Sequence, residues 1–156
     1  MKRRPRADIT TTEDPDYTVG LRHMLAALVG LRFPTVAAIA GSCMGLGVQL
    51  ALSVDLRVAS EDARFAVPVA RLGLLTDHQT LQRLTLAVGW GMARSMVLAG
   101  DVLNFDDAWR LGLVQRRGDL DDALAWAADM ATLAPLSQAG AKLGLDLLEK
   151  PVADHP

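Results

Sequence analysis

Several features are scarce in this chain, and each absence excludes a class of protein. Cys43 is the single cysteine, so no disulfide forms within the chain, and the cytoplasm is the expected compartment. Cysteine, histidine and carboxylate residues do not cluster at the spacing of metal ligands, so no metal site is expected. No apolar run reaches the roughly 18 residues that a membrane helix requires. The basic start, MKRRPRAD, leads into polar residues and not into the apolar segment of a signal peptide.

Charge and aromatic content are also low. The formal net charge is −2, and no basic stripe follows the N-terminal cluster, so a nucleic-acid partner is not expected. Aromatic residues make up 4% of the chain, whereas hydrophobic residues make up 51%. The apolar residues are mainly Ala, Leu and Val, which predicts packed helices and buried strands, or apolar surface covered in an oligomer. The 156 residues suffice for one domain with its own core.

The apolar segments predict strands alternating with helices. In the first half of the chain the pattern predicts a helix over 17–31, a buried strand over 35–41, a helix over 45–53, a strand over 55–61 and an extended stretch over 64–74. In the second half it predicts helices that end at Gly89, Gly100 and Gly112, a strand over 113–117, and helices over 120–133 and 135–150. This alternation is typical of an α/β protein with a buried sheet.

A glycine-rich turn separates the second predicted helix from the strand before it. Gly45 and Gly47 lie two residues apart in GSCMGLGVQLALSVD. Glycines at such a turn bring the backbone close to a ligand, or they only permit tight packing of the strand on the helix. The residues alone leave both readings open. Gln49 is the polar member of the otherwise apolar helix that follows.

Two ordered segments carry a resemblance to a known family. They are PTVAAIAGSCMGLGVQLALSVDLRVASEDARFAVPVARLGL and, further on, LNFDDAWRLGLVQRRGDLDDALAWA. From about residue 17 to residue 148 the chain resembles the crotonase superfamily, the enoyl-CoA hydratase/isomerase fold. The resemblance implies an α/β spiral of ββα units that binds fatty acyl-CoA thioesters. It also implies an oxyanion hole, with the backbone N–H of Leu46 as one donor, although the family usually has glycine at that position.

The second donor of the oxyanion hole comes, in this family, from an earlier loop that ends in Ala-Asp. Residues 5–9, PRADI, match that loop, and Ala7 and Asp8 are thereby candidates for substrate binding. On this alignment the donating position is Pro5, which has no N–H. Either the loop is displaced, or the chain has half an oxyanion hole.

Hydratases of this family carry two glutamates, and the matching positions here are Gln49 and Val69, twenty residues apart. An amide and an isopropyl group cannot pass a proton to and from water, so hydration by the family route is not expected. Gln49 retains hydrogen bonding to water or the acyl chain, or it bonds the backbone at the helix start. Val69 is expected to line the acyl pocket.

Asp77 and His78 are candidates for a catalytic acid/base pair, since they are the chain's adjacent acid and imidazole. The competing reading is a helix start, because Thr76 and Gln79 have the spacing of a capping box and an acid in the first turn is favoured by the helix dipole. Capping is the preferred reading.

The resemblance also implies boundaries, partners and alternatives. Residues 1–16 match a polar N-terminal remnant, and residues 17–118 match the spiral core. Residues 119–156 match the helical segment through which relatives form trimers or hexamers. The first strands and the last helices of the family are not matched. The favoured function is acyl-CoA binding in lipid metabolism without hydratase activity, as in similar actinobacterial paralogues, with a coenzyme A thioester as the ligand and no other cofactor. The alternatives are an active enoyl-CoA hydratase or isomerase of fatty-acid metabolism, and an inactive product of a split or mis-started gene.

Overall fold

The computed structural model describes residues 15–148, so Ala7 and Asp8 lie outside the described residues. The helices are α1 (Pro15–Val29), α2 (Leu46–Ser53), α3 (Val69–Leu72), α4 (His78–Arg94), α5 (Phe105–Leu111), α6 (Leu120–Ala131) and α7 (Pro135–Leu148). The strands are β1 (Val36–Ile39), β2 (Ser42–Met44), β3 (Leu56–Ala59), β4 (Arg64–Ala66), β5 (Leu103–Asn104) and β6 (Arg116–Arg117). No helix of this described part is long and apolar enough to cross a membrane.

Successive strand–strand–helix units build two small sheets. β1 and β3 pair in parallel, with Val36 opposite Leu56, and β6 extends that sheet on the far side of β3. β2 and β4 pair in parallel in the second sheet, where β5 runs antiparallel to β4. The first strand of each unit therefore joins one sheet and the second strand joins the other. This arrangement is the predicted ββα spiral.

The core lies between the sheets and the helices that follow them. Its largest fully buried side chains come from β4, α4, the segment after α4, α5 and the loop after α5, and they include Phe65, Leu84, Met96, Phe105 and Leu113. These residues are widely separated in sequence, so the units of the spiral bury one another. β3 and β4 are the most buried of the short strands, because the core packs against them.

The stretch predicted as extended over 64–74 is extended only at its start. β4 ends at Ala66, and the chain turns at Pro68 into the single helical turn α3. Pro68 immediately precedes α3 as its N-cap, with φ −78° and ψ 30°, and this ψ ends the extended backbone. Val69 consequently lies on a helical turn.

The capping box predicted from Thr76 to Gln79 is wrong by one residue. Asp77 is the N-cap of α4, and its carboxylate accepts the backbone N–H of Thr80 at 2.9 Å. An ionised aspartate is the stronger cap, because a charged acceptor bonds the exposed N–H groups better than a hydroxyl does. This leaves the Thr76 hydroxyl available for another contact.

The predicted break in the helix at Gly89 is confirmed. Gly89 has φ 80° and ψ 159°, which interrupts the helical backbone within α4. A π-helical segment, Ser95–Ala99, follows α4 and ends at Gly100, whose φ of 72° is left-handed. α5 begins at its cap Asn104 and ends at Gly112 as the sequence predicts.

A partly buried ion pair holds α7 against the spiral. The ammonium of Lys142 lies 2.8 Å from a carboxylate oxygen of Asp55, and it also donates to the carbonyl of Phe33. The same Asp55 oxygen accepts the backbone N–H and the hydroxyl of Thr35, both at 2.7 Å. One carboxylate thus joins the residues that precede β1 and β3 to the last described helix.

Candidate functional site

The glycine-rich turn has a backbone that only glycine adopts readily. Gly45 has φ 53° and ψ −109°, outside the regions allowed to residues with a Cβ. Its N–H donates to the carbonyl of Ala66 at 2.9 Å, and its carbonyl accepts the N–H of Gln49 at 3.1 Å. The turn is thereby fixed to the end of β4 on one side and to the first turn of α2 on the other.

Neither conformation nor crowding requires a glycine at position 47. Gly47 has ordinary helical geometry, and a Cβ added there would lie 3.5 Å from the Cys43 sulfur, which is normal van der Waals contact. Of the two sequence readings, tight packing of strand on helix therefore does not account for Gly47. Gly45 is explained by its φ alone.

Leu46 is the first residue of α2, and its backbone N–H has no acceptor within that helix. The first N–H groups of a helix have no partner inside it, and none of the described side chains caps α2. These donors and the helix dipole favour a negative or partly negative oxygen at this point. The Leu46 side chain is 39% exposed and also lies at this helix start.

A cleft of about 500 Å³ lies in front of this helix start, and we call it the Leu46 cleft. Its walls come from α1, the glycine-rich turn, α3 and the residues before α4. The lining is mostly leucine and valine, and its polar members are Arg22, Gln49, Thr76 and Asp77. Four predicted site residues, Leu46, Gln49, Val69 and Asp77, therefore meet in one cavity although they come from three segments of the chain.

Gln49 and Val69 occupy the wall of the Leu46 cleft. The Gln49 amide nitrogen donates a long hydrogen bond, 3.4 Å, to the hydroxyl of Thr76. Val69 packs partly against the core from α3. Neither side chain ionises near neutral pH, so neither can act as a general acid or base. Thr76, which the sequence assigned only to a helix cap, therefore contacts Gln49 across the cleft.

Asp77 and His78 are adjacent in sequence but face different cavities. Asp77 lines the Leu46 cleft, and its carboxylate accepts both the backbone N–H and the hydroxyl of Thr80. His78 is exposed and lines a separate groove along α4. The helix start accounts for the Asp77 contacts, and the structure does not bring the two side chains together on one cavity wall.

α1 contributes cleft residues that sequence reasoning missed. Leu21 and Leu25 are four residues apart on one face of α1, and in the sequence they indicated only the helical spacing of residues 17–31. Arg22 beside them is exposed and is the one basic side chain among the described residues that line the cleft. A charged residue next to two apolar ones on a helix carries no signal of a cleft, because exposed helix faces have the same composition.

A buried arginine holds the far end of α2. Arg57 on β3 donates from Nη1 to the carbonyls of Ala51 and Val54 at 2.9 and 3.0 Å, and from Nε to that of Leu113. Burial lowers the pKa of Arg57, and the negative charge of Asp55 opposes that effect. A cation at the C-terminal end of α2 satisfies its last carbonyls and complements the helix dipole. Arg57 therefore fixes the C-terminal end of α2, and this helps to hold the Leu46 N–H in place at the other end of the helix.

The thiol of Cys43 lies under the glycine-rich turn. Cys43 on β2 is buried, and this burial raises its pKa from the ordinary 9.0 to about 11. A thiol that stays protonated is a poor nucleophile and a poor metal ligand. In the part of the chain that the structure describes, no group of three His, Cys, Asp or Glu side chains is placed to hold a metal ion.

The sequence matches one family model and many known proteins. Residues 7–145 match the family model described as enoyl-CoA hydratase/isomerase. The probable enoyl-CoA hydratase echA6 of Mycobacterium tuberculosis is 42% identical over 127 residues, which are 81% of this chain and 52% of the relative. A short-chain-enoyl-CoA hydratase of Clostridium acetobutylicum is 35% identical over 124 residues, or 80% of this chain and 48% of the relative.

Solved structures show the same fold. An enoyl-CoA hydratase/isomerase family protein from Hyphomonas neptunium superposes with a TM-score of 0.81 at 33% identity, over 97% of this chain and 63% of its own. Pseudomonas aeruginosa DspI superposes with a TM-score of 0.84 at 29% identity, over 94% of this chain and 61% of its own. The chain spans about half the length of the curated relatives it matches. It belongs to the enoyl-CoA hydratase/isomerase family and has the crotonase fold.

Proposed function

We propose that this chain binds acyl-CoA thioesters in the Leu46 cleft and does not hydrate enoyl-CoA. One observation carries the proposal: the Leu46 N–H, Gln49 and Val69 border a single, mostly apolar cleft. The N–H suits a thioester oxygen, and the apolar wall suits an acyl chain. Gln49 and Val69, the two positions at which the family resemblance implies catalytic glutamates, hold an amide and an isopropyl group.

The absence of a carboxylate at both positions argues against hydratase chemistry. Water addition needs a base to take a proton from water and an acid to protonate the neighbouring carbon. Gln49 supplies neither, and Val69 only excludes water. Polarisation of the thioester by the Leu46 donor remains, so the chain is expected to hold the acyl group without transforming it. A cytoplasmic role in lipid metabolism and self-association into trimers or hexamers belong to the same proposal.

An active hydratase or isomerase is the second candidate, because Asp77 gives the Leu46 cleft one carboxylate. Asp77 would have to leave its bonds to Thr80 to act as a base. An inactive chain is the third candidate.

Titration and turnover separate the three candidates. Calorimetric titration with butyryl-CoA is expected to show binding, and crotonyl-CoA is expected to remain unhydrated above the rate without protein. Val69→Asp, which places a charge in the acyl path, should abolish binding, whereas Val102→Asp, at an exposed valine outside the cleft, should not. Turnover abolished by Asp77→Asn would establish the second candidate. Absence of any binding would establish the third.

A further inference from the structure

A second apolar cavity runs along α4, and we call it the Trp90 groove. It has a volume of about 560 Å³ and is lined by α4 and the π-helical segment, with Leu81, Leu86, Trp90, Val97 and Leu98 as its main apolar members. Trp90, Leu98 and Leu86 are 68%, 65% and 63% exposed. Large apolar side chains exposed together mark a binding surface more often than ordinary surface.

The Trp90 groove and the Leu46 cleft are both lined by residues at the start of α4. Thr76 and Asp77 are the last residues along the chain that line the cleft, and the next residue, His78, lines the groove. Just before them, Leu75 lines the cleft with 98% of its side chain exposed. Both cavities therefore lie next to the start of α4, and the exposed Leu75 lies a few residues before that helix start.

The two titratable side chains that line the groove come from the two ends of α4. His78 is the first residue of that helix and Arg94 the last, and the Arg94 guanidinium lies 5.5 Å from the centre of the Trp90 ring. Between them the polar side chains are Gln82 and Thr85, and the Thr85 hydroxyl is satisfied by the carbonyl of Leu81 at 2.8 Å. The middle of the groove thus suits an uncharged apolar chain.

We propose that the Trp90 groove holds the distal part of the acyl chain, so that the Leu46 cleft takes long-chain acyl thioesters. This proposal rests on the proposed function, because the thioester must first lie at the Leu46 N–H. A short acyl group ends within the cleft. A longer one crosses the start of α4 near Leu75 and covers the exposed surface of Leu86 and Trp90. The apolar chain and the apolar groove are both removed from water, which drives the contact.

The first test is a chain-length series on matched variants. Affinity should rise by roughly fourfold for each added methylene, and the rise should continue from butyryl-CoA to dodecanoyl-CoA, measured below its micelle concentration. Leu86→Asp should weaken dodecanoyl-CoA binding by about tenfold or more and leave butyryl-CoA binding unchanged. Leu124→Asp is the matched control, because Leu124 is a comparably exposed leucine, 58%, on α6 outside both cavities. It should change neither affinity.

The second test locates the chain directly by fluorescence. A dodecanoyl-CoA with bromine on its last carbon should quench tryptophan emission, since bromine quenches indole on contact. Trp90→Phe should remove most of that quenching, because Trp109 and Trp126 do not line the groove. Trp109→Phe is the control and should leave the quenching in place.

Each outcome separates this proposal from the proposed function. If no acyl-CoA binds, both fail. If butyryl-CoA and dodecanoyl-CoA bind equally, or Leu86→Asp weakens both alike, the acyl-CoA site stands and the groove assignment is overturned. If Leu86→Asp dissociates an oligomer without changing either affinity, the groove is the contact with a second copy of this chain, which also overturns the assignment.

Discussion

The N–H of Leu46 can be removed without removing its helix. Leu46 is the first residue of α2, a position where proline is tolerated because the N–H has no partner inside the helix. Leu46→Pro should therefore weaken butyryl-CoA binding by about three- to tenfold, the cost of one hydrogen bond. Leu46→Ala keeps the N–H and should bind at least as well as the parent chain.

Calorimetry with both variants measures the contribution of the N–H, and circular dichroism checks that α2 and the fold persist. Equal affinity of Leu46→Pro and Leu46→Ala would show that the thioester oxygen does not lie at the helix start.

Burial of Cys43 makes stability depend on alkaline pH. Because its pKa is raised from 9.0 to about 11, the unfolded chain loses the thiol proton at a lower pH than the folded chain does. Stability should therefore be fully present below pH 9 and should fall as pH rises from 9 towards 11. The stability of the Cys43→Ala variant should fall less steeply over the same pH range. Urea unfolding at a series of pH values compares the two slopes.

Native Cys43 should also resist iodoacetamide near neutral pH, because a buried and protonated thiol attacks slowly. It should react after unfolding in urea. Rapid alkylation of the folded chain, counted by mass spectrometry, would contradict the burial of this thiol.

The last carbonyls of α2 are bonded by two buried arginines, Arg57 and Arg83, and Arg57 makes the shorter bonds. Replacing Arg57 by methionine removes the three bonds to carbonyl groups at the end of α2 and after α5, and leaves those carbonyls buried without that donor. The expected loss is about 2–4 kcal/mol of unfolding free energy. Arg64→Met is the matched control, because Arg64 also bonds backbone carbonyls from a strand but is exposed. Its cost should stay below about 1 kcal/mol.

Thermal and urea unfolding of the Arg57→Met and Arg64→Met variants give the two free energies. Similar losses for both would mean that burial of the Arg57 bonds adds nothing to the stability of α2.

Elements with a strong local signal were predictable, and those set by distant contacts were not. α2 and α5 follow from apolar periodicity with Gly45 before one and Asn104 before the other, because these signals act within one turn of the helix. β2 was missed because its pairing with β4 is made more than twenty residues away. α3 was missed because four residues are too few to show a helical period.

The candidate site was predictable only where a motif marked it. Leu46, Gln49 and Val69 came from the family pattern, and the structure places them in one cleft. Arg22 and Thr76 line the same cleft but were missed, since their places depend on how α1 and the loop before α4 pack. Packing of that kind is not encoded by any local pattern of residue types.

At the scale of the whole molecule, many leucine side chains are exposed in the part of the chain that the structure describes. On α6 and α7 these exposed side chains include Leu124, Leu136, Leu143, Leu145 and Leu148. We expect the chain to associate at micromolar concentration, because contact between such faces removes apolar surface from water. Sedimentation velocity should show a mass above that of one chain, rising with concentration.

Leu136→Lys together with Leu143→Lys should shift the sedimentation distribution towards the monomer, since both side chains are exposed on α7. A single monomeric species at all concentrations in the parent chain would contradict the expectation.

The pair between Asp55 and Lys142 has a consequence for the order of events on the ribosome. The two residues are 87 positions apart. At the usual speed of synthesis, roughly 5–20 residues per second, Lys142 is made between roughly 4 and 17 seconds after Asp55. Throughout that interval the Asp55 carboxylate can already bond Thr35, but its bond to Lys142 cannot yet form. The spiral can therefore form while α7 is still being translated, and a newly made chain has time to meet a neighbour before its own last helix docks.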